Sequence, residues 1–275
     1  MQNYGVLATD LDGTLLDDRK QLSERNRAAL LAARAQGIAV VAVTARMPRG
    51  IDAIPGLAES VDYAICNNGA IFYEPATGAI DLRRTIPAPD VIDLHARARR
   101  ALPNALFMIE TGTEMFAEGA DPGARAYYGE PWHGVDALED VLASLDGVVE
   151  YRVQDRSMDG PAIRAALDGI EAPGMVRWAW GSYPVLEYNA ETVNKGAALA
   201  EWCAERGFTA EAVIAFGDMP NDVSMLAWAG RSYAMAGAPA DVAAAAGFPA
   251  ASNRDDGVAQ AVEALLRGPE PVRAD

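Results

Sequence analysis

The chain has 275 residues, of which 39 are Asp or Glu and 23 are Lys or Arg, so its formal net charge is −16. A charge this negative argues against nucleic acid or an anionic membrane surface as the main partner, although a local site can still bind a small anion. With 51% hydrophobic and 23% charged residues, the composition excludes intrinsic disorder, and the length suits one domain or two.

Cys66 and Cys203 are the two cysteines of the chain, too few for a disulfide framework. Both stand in apolar sequence, which predicts buried, unreactive thiols in a reducing compartment. The start of the chain lacks the basic segment of a signal peptide, and no apolar run approaches the roughly 18 residues of a membrane span. We therefore expect a soluble cytoplasmic protein.

The N-terminal part of the chain predicts alternating strands and helices. Residues 4–9, 38–43 and 63–66 are short apolar runs, typical of strands that are buried on both faces of a sheet. Ser23 is a suitable N-cap for a helix that runs to about Gln36, between the first two strands. Strand, helix and strand joined by short loops predict parallel strands with right-handed crossovers.

The pattern changes in the middle of the chain. Predicted helices at residues 91–102 and 160–167 are each followed by strands, which indicates a small α+β module inserted into the first domain. We place this module at residues 84–186 and the surrounding α/β domain at residues 1–83 and 187–275. The strands of the module are predicted at residues 105–109, 114–117, 148–153, 175–180 and 185–188.

After the module the α/β pattern returns. Helices are predicted at residues 195–206, 223–229, 240–246 and 258–267, and a buried strand at residues 213–216. The fold class predicted for the whole chain is therefore α/β, with a doubly wound parallel sheet and an inserted α+β domain.

Polar residues stand where the predicted strands end, and ligands bind outside the carboxyl ends of strands in open α/β sheets. The first polar cluster has Asp10 and Asp12 directly after a buried strand. Two adjacent carboxylates raise each other's pKa unless a cation is close, and Mg²⁺ prefers such oxygen ligands. Gly13 permits a close backbone approach. The alternative is an Asx turn, for which a single Asp would suffice.

The second and third clusters contain groups that bind phosphate. Thr44–Arg46 follows the second strand, where a hydroxyl and free N–H groups can bind phosphate oxygens, although such a Thr is more often a helix cap. Lys195 follows a candidate N-cap, Asn194, and therefore lies in the first turn of a helix, where the macrodipole disfavours a cation. This placement suggests that Lys195 reaches a carboxylate or a phosphate, although an exposed Lys also tolerates the small cost.

The fourth cluster, residues 217–222, follows the predicted strand at 213–216. Asp218 and Asp222 again place two acids after a buried strand, and Asp222 would lie at the start of a helix, where an anion is favoured. Taken alone, the segment is equally well explained as a capped turn with Pro at the start of a helix.

Together, the four clusters resemble the four motifs of the haloacid dehalogenase-like hydrolase superfamily. Residues 67–70 and 252–257 further resemble its Cof-type sugar-phosphatase branch, subfamily IIB. The position and repeated helix–strand–strand pattern of the inserted module resemble the C2 cap of that branch, and the resemblance implies a Rossmann-like core. The motif residues are Asp10-Leu-Asp-Gly-Thr-Leu15, Thr44-Ala-Arg46, Lys195-Gly196 and Gly217-Asp218-Met-Pro-Asn221-Asp222.

The resemblance implies a phosphatase that forms an aspartyl phosphate. Asp10 would attack phosphorus, and Asp12 would protonate the leaving oxygen and then deprotonate the hydrolytic water. The implied cofactor is Mg²⁺, held by Asp10, Asp218 and the main-chain carbonyl of Asp12, with Asp222 in support. The phosphoryl oxygens would be bound by Thr44, Lys195, Asn221 and the N–H groups of Leu11 and Ala45.

The sequence departs from the family pattern at two places. The second motif often has Gly where Ala45 stands, and the added methyl leaves the N–H available. The usual Gly-Asn-Ala after the last core strand is replaced by Ala236–Ala238, which removes one peripheral amide. Neither departure touches the residues that carry the implied chemistry.

Substrate choice would lie with the cap. Several of its side chains are candidates for binding an anionic or sugar ligand, but aromatic packing across a strand pair is the commoner reason for such a pattern. His95 and His133 stand in polar stretches and are predicted to be surface residues. The candidate substrate residues of the cap are Arg177, Trp178, Trp180 and Tyr183.

Three functional hypotheses remain open from the sequence. The first is a Mg²⁺-dependent phosphatase for a small phosphorylated metabolite, most readily a sugar phosphate, with no nucleic acid or membrane partner. A phosphomutase of the same superfamily would keep the aspartyl phosphate for transfer. A non-catalytic binding protein would not need a nucleophile and an acid/base pair. We expect a monomer or a weak homodimer.

Overall fold

Two separate stretches of the chain form the first of two compact units. The computed structural model describes residues 4–118, 132–179 and 181–267. The first unit comprises Met1–Asp81 and Asn194–Asp275, and the second comprises Leu82–Val193. The chain thus leaves the first unit and returns to it later, as an inserted module requires.

The first stretch begins with the strand that carries Asp10 at its end. The helix that follows begins where Ser23 Oγ accepts the N–H of Asn26 at 3.0 Å, and it ends before Gly37, whose φ of +79° suits glycine. The elements are β1 (Val6–Thr9), α1 (Glu24–Ala35), β2 (Ala39–Val43), α2 (Pro48–Asp52), β3 (Tyr63–Cys66), β4 (Ile71–Glu74) and β5 (Ala79–Leu82).

The second unit is built around an antiparallel sheet. Its elements are β6 (Ile86–Pro87), α3 (Ala88–Ala101), β7 (Leu106–Glu110), β8 (Met115–Glu118), β9 (His133–Val135), α4 (Leu138–Leu142), β10 (Gly147–Val148), β11 (Glu150–Gln154), α5 (Gly160–Ala166), β12 (Met175–Ala179) and β13 (Val185–Ala190). The strand order is β12-β13-β11-β7-β8-β9, in which only the β8–β9 pair is parallel among the described strands. β6 and β10 form a separate antiparallel pair.

The last stretch returns to the first unit. Its elements are α6 (Lys195–Glu205), β14 (Val213–Gly217), α7 (Val223–Trp228), β15 (Arg231–Ala234), α8 (Ala240–Ala245), β16 (Phe248–Pro249) and α9 (Gly257–Arg267). α6 begins at the predicted N-cap, where Asn194 Oδ1 accepts the N–H of Ala197 at 2.8 Å. This cap fixes Lys195 as the first residue of α6.

The sheet of the first unit has the strand order β16-β15-β14-β1-β2-β3-β4-β5. The strands from β16 to β3 are parallel, and β4 is antiparallel to β3. Val6 of β1 pairs with Ala39 of β2 on one side and with Val213 of β14 on the other. The carboxyl ends of β1, β2 and β14 therefore meet at one edge, and the predicted α/β fold class is confirmed.

A core of aliphatic side chains holds this edge in place. Val6 and Ala8 of β1 pack in one buried cluster with Val41 of β2 and with Leu199 and Trp202 of α6. Burying a Val or Leu side chain stabilises the fold by about 1.5–3 kcal/mol. The strands and the helix that carry the polar clusters are therefore fixed by their apolar residues.

Three predictions in the second unit and its boundary differ from the structure. His95 is fully buried, not exposed, because it lies on the face of α3 that packs on the sheet, whereas the His133 side chain is 60% exposed as predicted. The predicted strand 148–153 is divided, because Val148 pairs with Ile86 in the small sheet while β11 pairs with β7. The predicted boundary after residue 186 falls inside β13, which pairs with β11 and β12 along its length.

The cysteines agree with the prediction, whereas several short strands were not predicted. Cys66 and Cys203 are both buried free thiols, which confirms that prediction. The strands β4, β15 and β16 were not predicted. Among the described residues, no helix combines the length and the apolar character needed to cross a membrane.

Candidate active site

The structure brings the four predicted clusters together at the carboxyl edge of the main sheet. Asp10 follows β1, Thr44 follows β2 and Asp218 follows β14, and these three strands are neighbours. Lys195 reaches the same place from the first turn of α6, with its Nζ 2.7 Å from Asp10 Oδ1. One site is therefore formed by residues that lie far apart in the sequence, such as Asp10 and Asp218.

Lys195 is buried between two carboxylates. Its side chain is 1% exposed, and its Nζ donates to Asp10 Oδ1 at 2.7 Å and to Asp222 Oδ1 at 2.6 Å. Burial alone would lower the pKa of Lys195, but the attraction of Asp10 and Asp222 outweighs it and raises the pKa above its usual range. Lys195 is therefore a permanent cation, which explains why it tolerates its unfavourable place in the helix.

The negative charges around Asp10 outweigh the positive charge of Lys195. Burial raises the pKa of Asp10, the charge of Lys195 lowers it, and repulsion from Asp222 and Asp218 raises it again, so that the pKa lies well above its usual range. A further positive charge close to Asp10 would therefore stabilise its ionised form.

Asp218 is a neighbour of Asp10, with one oxygen of each within 4.8 Å of the other. Its Oδ1 accepts the hydroxyl of Thr14 at 3.0 Å. Burial and the negative charge of Asp222 raise the pKa of Asp218 to about 6. A Cβ added to Gly13 would lie 2.3 Å from Asp218 Oδ2, and Gly13 has a φ of +92°, so both the space and the backbone require glycine there.

Both carboxylate oxygens of Asp222 accept hydrogen bonds within the site. Its Oδ1 accepts from Lys195, and its Oδ2 accepts the N–H groups of Asp218 and Met219 at 2.9 and 3.0 Å. It therefore fixes the loop that carries Asp218 and orients Lys195. These contacts were not foreseen in the sequence, where Asp222 was expected near the metal as a supporting acid.

The carboxylates at this edge fit a divalent cation. One oxygen each of Asp10, Asp218 and Asp222 lie within 4.8 Å of one another. Three acids face one amine, and the raised pKa values of Asp10 and Asp218 show that the surplus charge is unrelieved. A hard cation with oxygen ligands would relieve it.

Asp12 has the opposite environment. Arg46 holds it with two hydrogen bonds, Nε to Oδ2 at 2.6 Å and Nη2 to Oδ1 at 2.8 Å, and Lys20 Nζ lies 3.0 Å from Oδ1. Burial would raise the pKa of Asp12, but the hydrogen bonds and charges of Arg46 and Lys20 outweigh it and lower the pKa. The contact of Lys20, which has a φ of +61°, was not predicted.

The groups proposed to bind phosphate lie around the same edge. Thr44 is buried, and its Oγ1 accepts the N–H of Arg46 at 3.1 Å, so its own hydroxyl hydrogen is left to donate. Asn221 Nδ2 donates to Asn68 Oδ1 at 2.9 Å. The roles of the Leu11 and Ala45 N–H groups stay predictions.

The candidate substrate residues all belong to the second unit. Arg177 and Trp178 lie on β12, where they pair with Tyr188 and Glu187 of β13, and Tyr183 lies in the turn between the two strands. The strand pair offered as the ordinary explanation is therefore present. A role of these side chains in substrate binding stays a prediction, and Trp180 lies outside the described residues.

The sequence matches the family model described as haloacid dehalogenase-like hydrolase over residues 7–262. The chain belongs to this family. Among its relatives are YxeH of Bacillus subtilis (strain 168), 29% identical with 96% of this chain and 98% of the other covered, and the pyridoxal phosphate phosphatase YbhA of Escherichia coli (strain K12), 27% identical with 95% and 98% covered. The predicted family and the predicted enzyme class, a phosphoric monoester hydrolase, are confirmed.

Solved structures of haloacid dehalogenase-like hydrolases have the same fold. One from Bacteroides thetaiotaomicron is 25% identical, with 95% of this chain and 99% of that chain covered and a TM-score of 0.80. The subclass IIB sugar phosphatase BT4131 is 22% identical, with 94% and 97% covered and a TM-score of 0.76. The likeness extends over nearly the whole chain, including the inserted module.

Proposed function

We propose that the chain is a Mg²⁺-dependent phosphatase that hydrolyses a small phosphorylated metabolite through an aspartyl phosphate on Asp10. The observation that carries the proposal is the buried contact of Asp10 with Lys195, beside Asp218, at the carboxyl edge of the sheet. A binding protein gains nothing from a carboxylate aimed at an anionic ligand, whereas a nucleophile has to be there.

The reaction balances with the residues of the site. A carboxylate oxygen of Asp10 attacks phosphorus while the bond from phosphorus to the leaving oxygen breaks and Asp12 gives that oxygen its proton. Water then attacks the aspartyl phosphate, Asp12 takes the proton of the water, and inorganic phosphate leaves with Asp10 restored. The ion pairs of Asp12 with Arg46 and Lys20 favour the carboxylate, which the second step needs, and they oppose the protonated form that the first step needs.

The residues that would hold Mg²⁺ are Asp10, Asp218 and the main-chain carbonyl of Asp12. The bound ion would supply positive charge that neutralises the phosphate oxygens and the carboxylates. Lys195 adds a fixed positive charge 2.7 Å from Asp10, and Asp222 accepts a second hydrogen bond from it. Thr44, Asn221 and the N–H groups of Leu11 and Ala45 would orient the phosphoryl group by hydrogen bonds.

The proposed substrate is a small phosphorylated metabolite, and a sugar phosphate is the first choice. YbhA is named a pyridoxal phosphate phosphatase, and YcsE of Bacillus subtilis (strain 168), 28% identical, is named a 5-amino-6-(5-phospho-D-ribitylamino)uracil phosphatase. Pyridoxal phosphate and flavin precursor phosphates are therefore the next compounds to test.

The test is hydrolysis of p-nitrophenyl phosphate by the wild type and by Asp10→Asn, with Mg²⁺ or with EDTA. We expect turnover by the wild type with Mg²⁺ alone, and loss of activity by a factor of at least about 10³ in Asp10→Asn. Asn keeps the shape of the side chain, so circular dichroism should show an unchanged fold. Activity that survives EDTA or the substitution would contradict the mechanism, and isomer formation from a sugar phosphate would favour a mutase.

A further inference from the structure

The turn at Asn67–Gly69 is tied to the second polar cluster by its main chain. The N–H of Asn67 donates to the carbonyl of Arg46, and the N–H of Asn68 donates to the carbonyl of Thr44, both at 2.9 Å. The turn is buried, and Asn67 and Asn68 have φ values of +45° and +53°. Two successive left-handed residues other than glycine are costly, which indicates that the side chains are needed there.

The same turn packs against the start of α6. A Cβ added to Gly69 would lie 2.7 Å from Ala198 Cβ and 2.9 Å from the carbonyl oxygen of Asn194. The turn therefore touches the helical turn that begins with Lys195, as well as the segment that carries Thr44.

The side chain of Asn68 connects the turn to the fourth cluster. Its Oδ1 accepts from Asn221 Nδ2 at 2.9 Å. Asn221 Oδ1 is buried and has no hydrogen-bond partner among the residues that the structure describes, so the bond to Asn68 is what holds the amide. An amide nitrogen has two hydrogens, so one N–H of Asn221 is held by Asn68 and the other is left to donate.

We propose that Asn68 is a positioning residue of the phosphoryl site, which holds the Asn221 amide so that its second N–H points to a phosphoryl oxygen. The inference rests on the proposed function, in which Asn221 binds phosphate. Thr44 follows β2 and Asn221 follows β14. Asn68 links them, because its N–H donates to the Thr44 carbonyl and its Oδ1 accepts from Asn221 Nδ2.

The decisive variant is Asn68→Gly. Glycine adopts the left-handed backbone of residue 68 without strain, so the substitution removes the acceptor and leaves the turn. With p-nitrophenyl phosphate and Mg²⁺, we expect kcat/KM to fall by about fivefold, the effect of one lost hydrogen bond. Because Asn68 acts through Asn221, the same substitution in an Asn221→Ala background should change kcat/KM by less than about twofold.

Asp256→Gly is the matched control. Asp256 is also left-handed, with a φ of +56°, and its Oδ1 also accepts a hydrogen bond from a distant residue, Ser23, at 2.6 Å. It lies outside the site, so its loss should leave kcat/KM unchanged. Thermal unfolding of all the variants separates a loss of stability from a loss of activity.

Binding of inorganic phosphate, measured by calorimetry with Mg²⁺ present, gives a readout that does not depend on turnover. Asn68→Gly should weaken phosphate binding by a similar factor. An unchanged kcat/KM and phosphate affinity in Asn68→Gly, or an equal loss in the Asn221→Ala background, would overturn the role of Asn68 while leaving the phosphatase intact. A wild type that neither hydrolyses p-nitrophenyl phosphate nor binds phosphate would overturn both proposals.

Discussion

The two units each bury a polar cluster, and the clusters differ in how their charges are balanced. In the first unit, Asp10, Asp218 and Asp222 surround one amine, Lys195. In the second unit, His95 Nε2 lies 3.0 Å from Glu118 Oε2 and 3.8 Å from Glu139 Oε2. Both groups have the residue types of a metal site, so composition alone does not tell them apart.

Two members of the second cluster, Glu118 and His95, have further partners in the second unit. Arg99 Nη1 lies 2.8 Å from Glu118 Oε1, and Glu118 Oε2 also accepts the N–H of Leu138 at 2.8 Å. The other ring nitrogen of His95 is 3.0 Å from the hydroxyl of Tyr151. The cluster joins α3, α4 and the sheet, which is a structural role. Three acids share one amine in the first cluster, whereas Glu118 of the second is bound by Arg99 and by the N–H of Leu138 as well as by His95.

The largest expected effect is that of Lys195→Met. The substitution leaves Asp10 and Asp222 buried without their cation, which should cost about 3–5 kcal/mol in the free energy of unfolding and abolish phosphatase activity. Urea unfolding and p-nitrophenyl phosphate assays measure the two effects. Because Mg²⁺ can replace part of the lost charge, the destabilisation should become smaller when Mg²⁺ is added. A destabilisation that Mg²⁺ does not change would contradict the surplus of negative charge in the first cluster.

His95→Ala tests the second cluster. The loss of the ring removes one buried hydrogen-bond partner from Tyr151 and one from Glu118 and leaves a cavity, so we expect a loss of about 2–4 kcal/mol in stability. Hydrogen exchange should locate the loosening in the second unit. The matched control, His133→Ala, removes an exposed ring and should change stability by less than about 0.5 kcal/mol. A stabilisation of the wild type by Zn²⁺ that disappears in His95→Ala would contradict the structural role.

The main sheet and the positions of the site were predictable because both depend on local patterns. The apolar runs at β1, β2, β3 and β14 are long enough to be recognised, and parallel strands put their carboxyl ends at one edge. Asp10 and Asp218 follow directly from those strands. Lys195 was found because its place in the helix opposes the macrodipole.

The partners of the site could not be predicted, because they depend on tertiary contacts. Lys20 and Asn68 look like loop residues in the sequence, and only the folded chain brings them to Asp12 and Asn221. His95 was wrongly predicted as exposed for the same reason: its neighbours in the chain are polar, but its face of α3 packs against Phe107 and Tyr151. Local polarity describes the sequence around a residue, whereas burial depends on the direction of its side chain.

Gly13→Ala tests whether the surplus-charge cluster depends on its close backbone contact. The new Cβ would collide with the Asp218 carboxylate, and φ is +92°, so we expect a loss of about 2–3 kcal/mol in stability together with weaker Mg²⁺ binding. Gly37→Ala is the matched control, because Gly37 has a φ of +79° and nothing lies within 4 Å of the added Cβ. It should lose only the roughly 1 kcal/mol of stability that a left-handed backbone costs alanine. Equal effects of the two substitutions would show that the contact with Asp218 is unimportant.

The smallest expected effect is a pH dependence of the metal-free protein. The raised pKa values of Asp10 and Asp218 mean that the folded state binds protons more tightly than the unfolded state, so stability should increase as the pH falls from 7 to 5. For Asp218, with a pKa of about 6, the gain is about 1 kcal/mol.

Saturating Mg²⁺ should reverse this dependence, because the cation favours the ionised carboxylates and is displaced as they take up protons. Urea unfolding at pH 5 and pH 7, with EDTA or Mg²⁺, measures both slopes, and Asp218→Asn should reduce both. Slopes that are the same in Asp218→Asn as in the wild type would contradict the assignment of the surplus charge to this site.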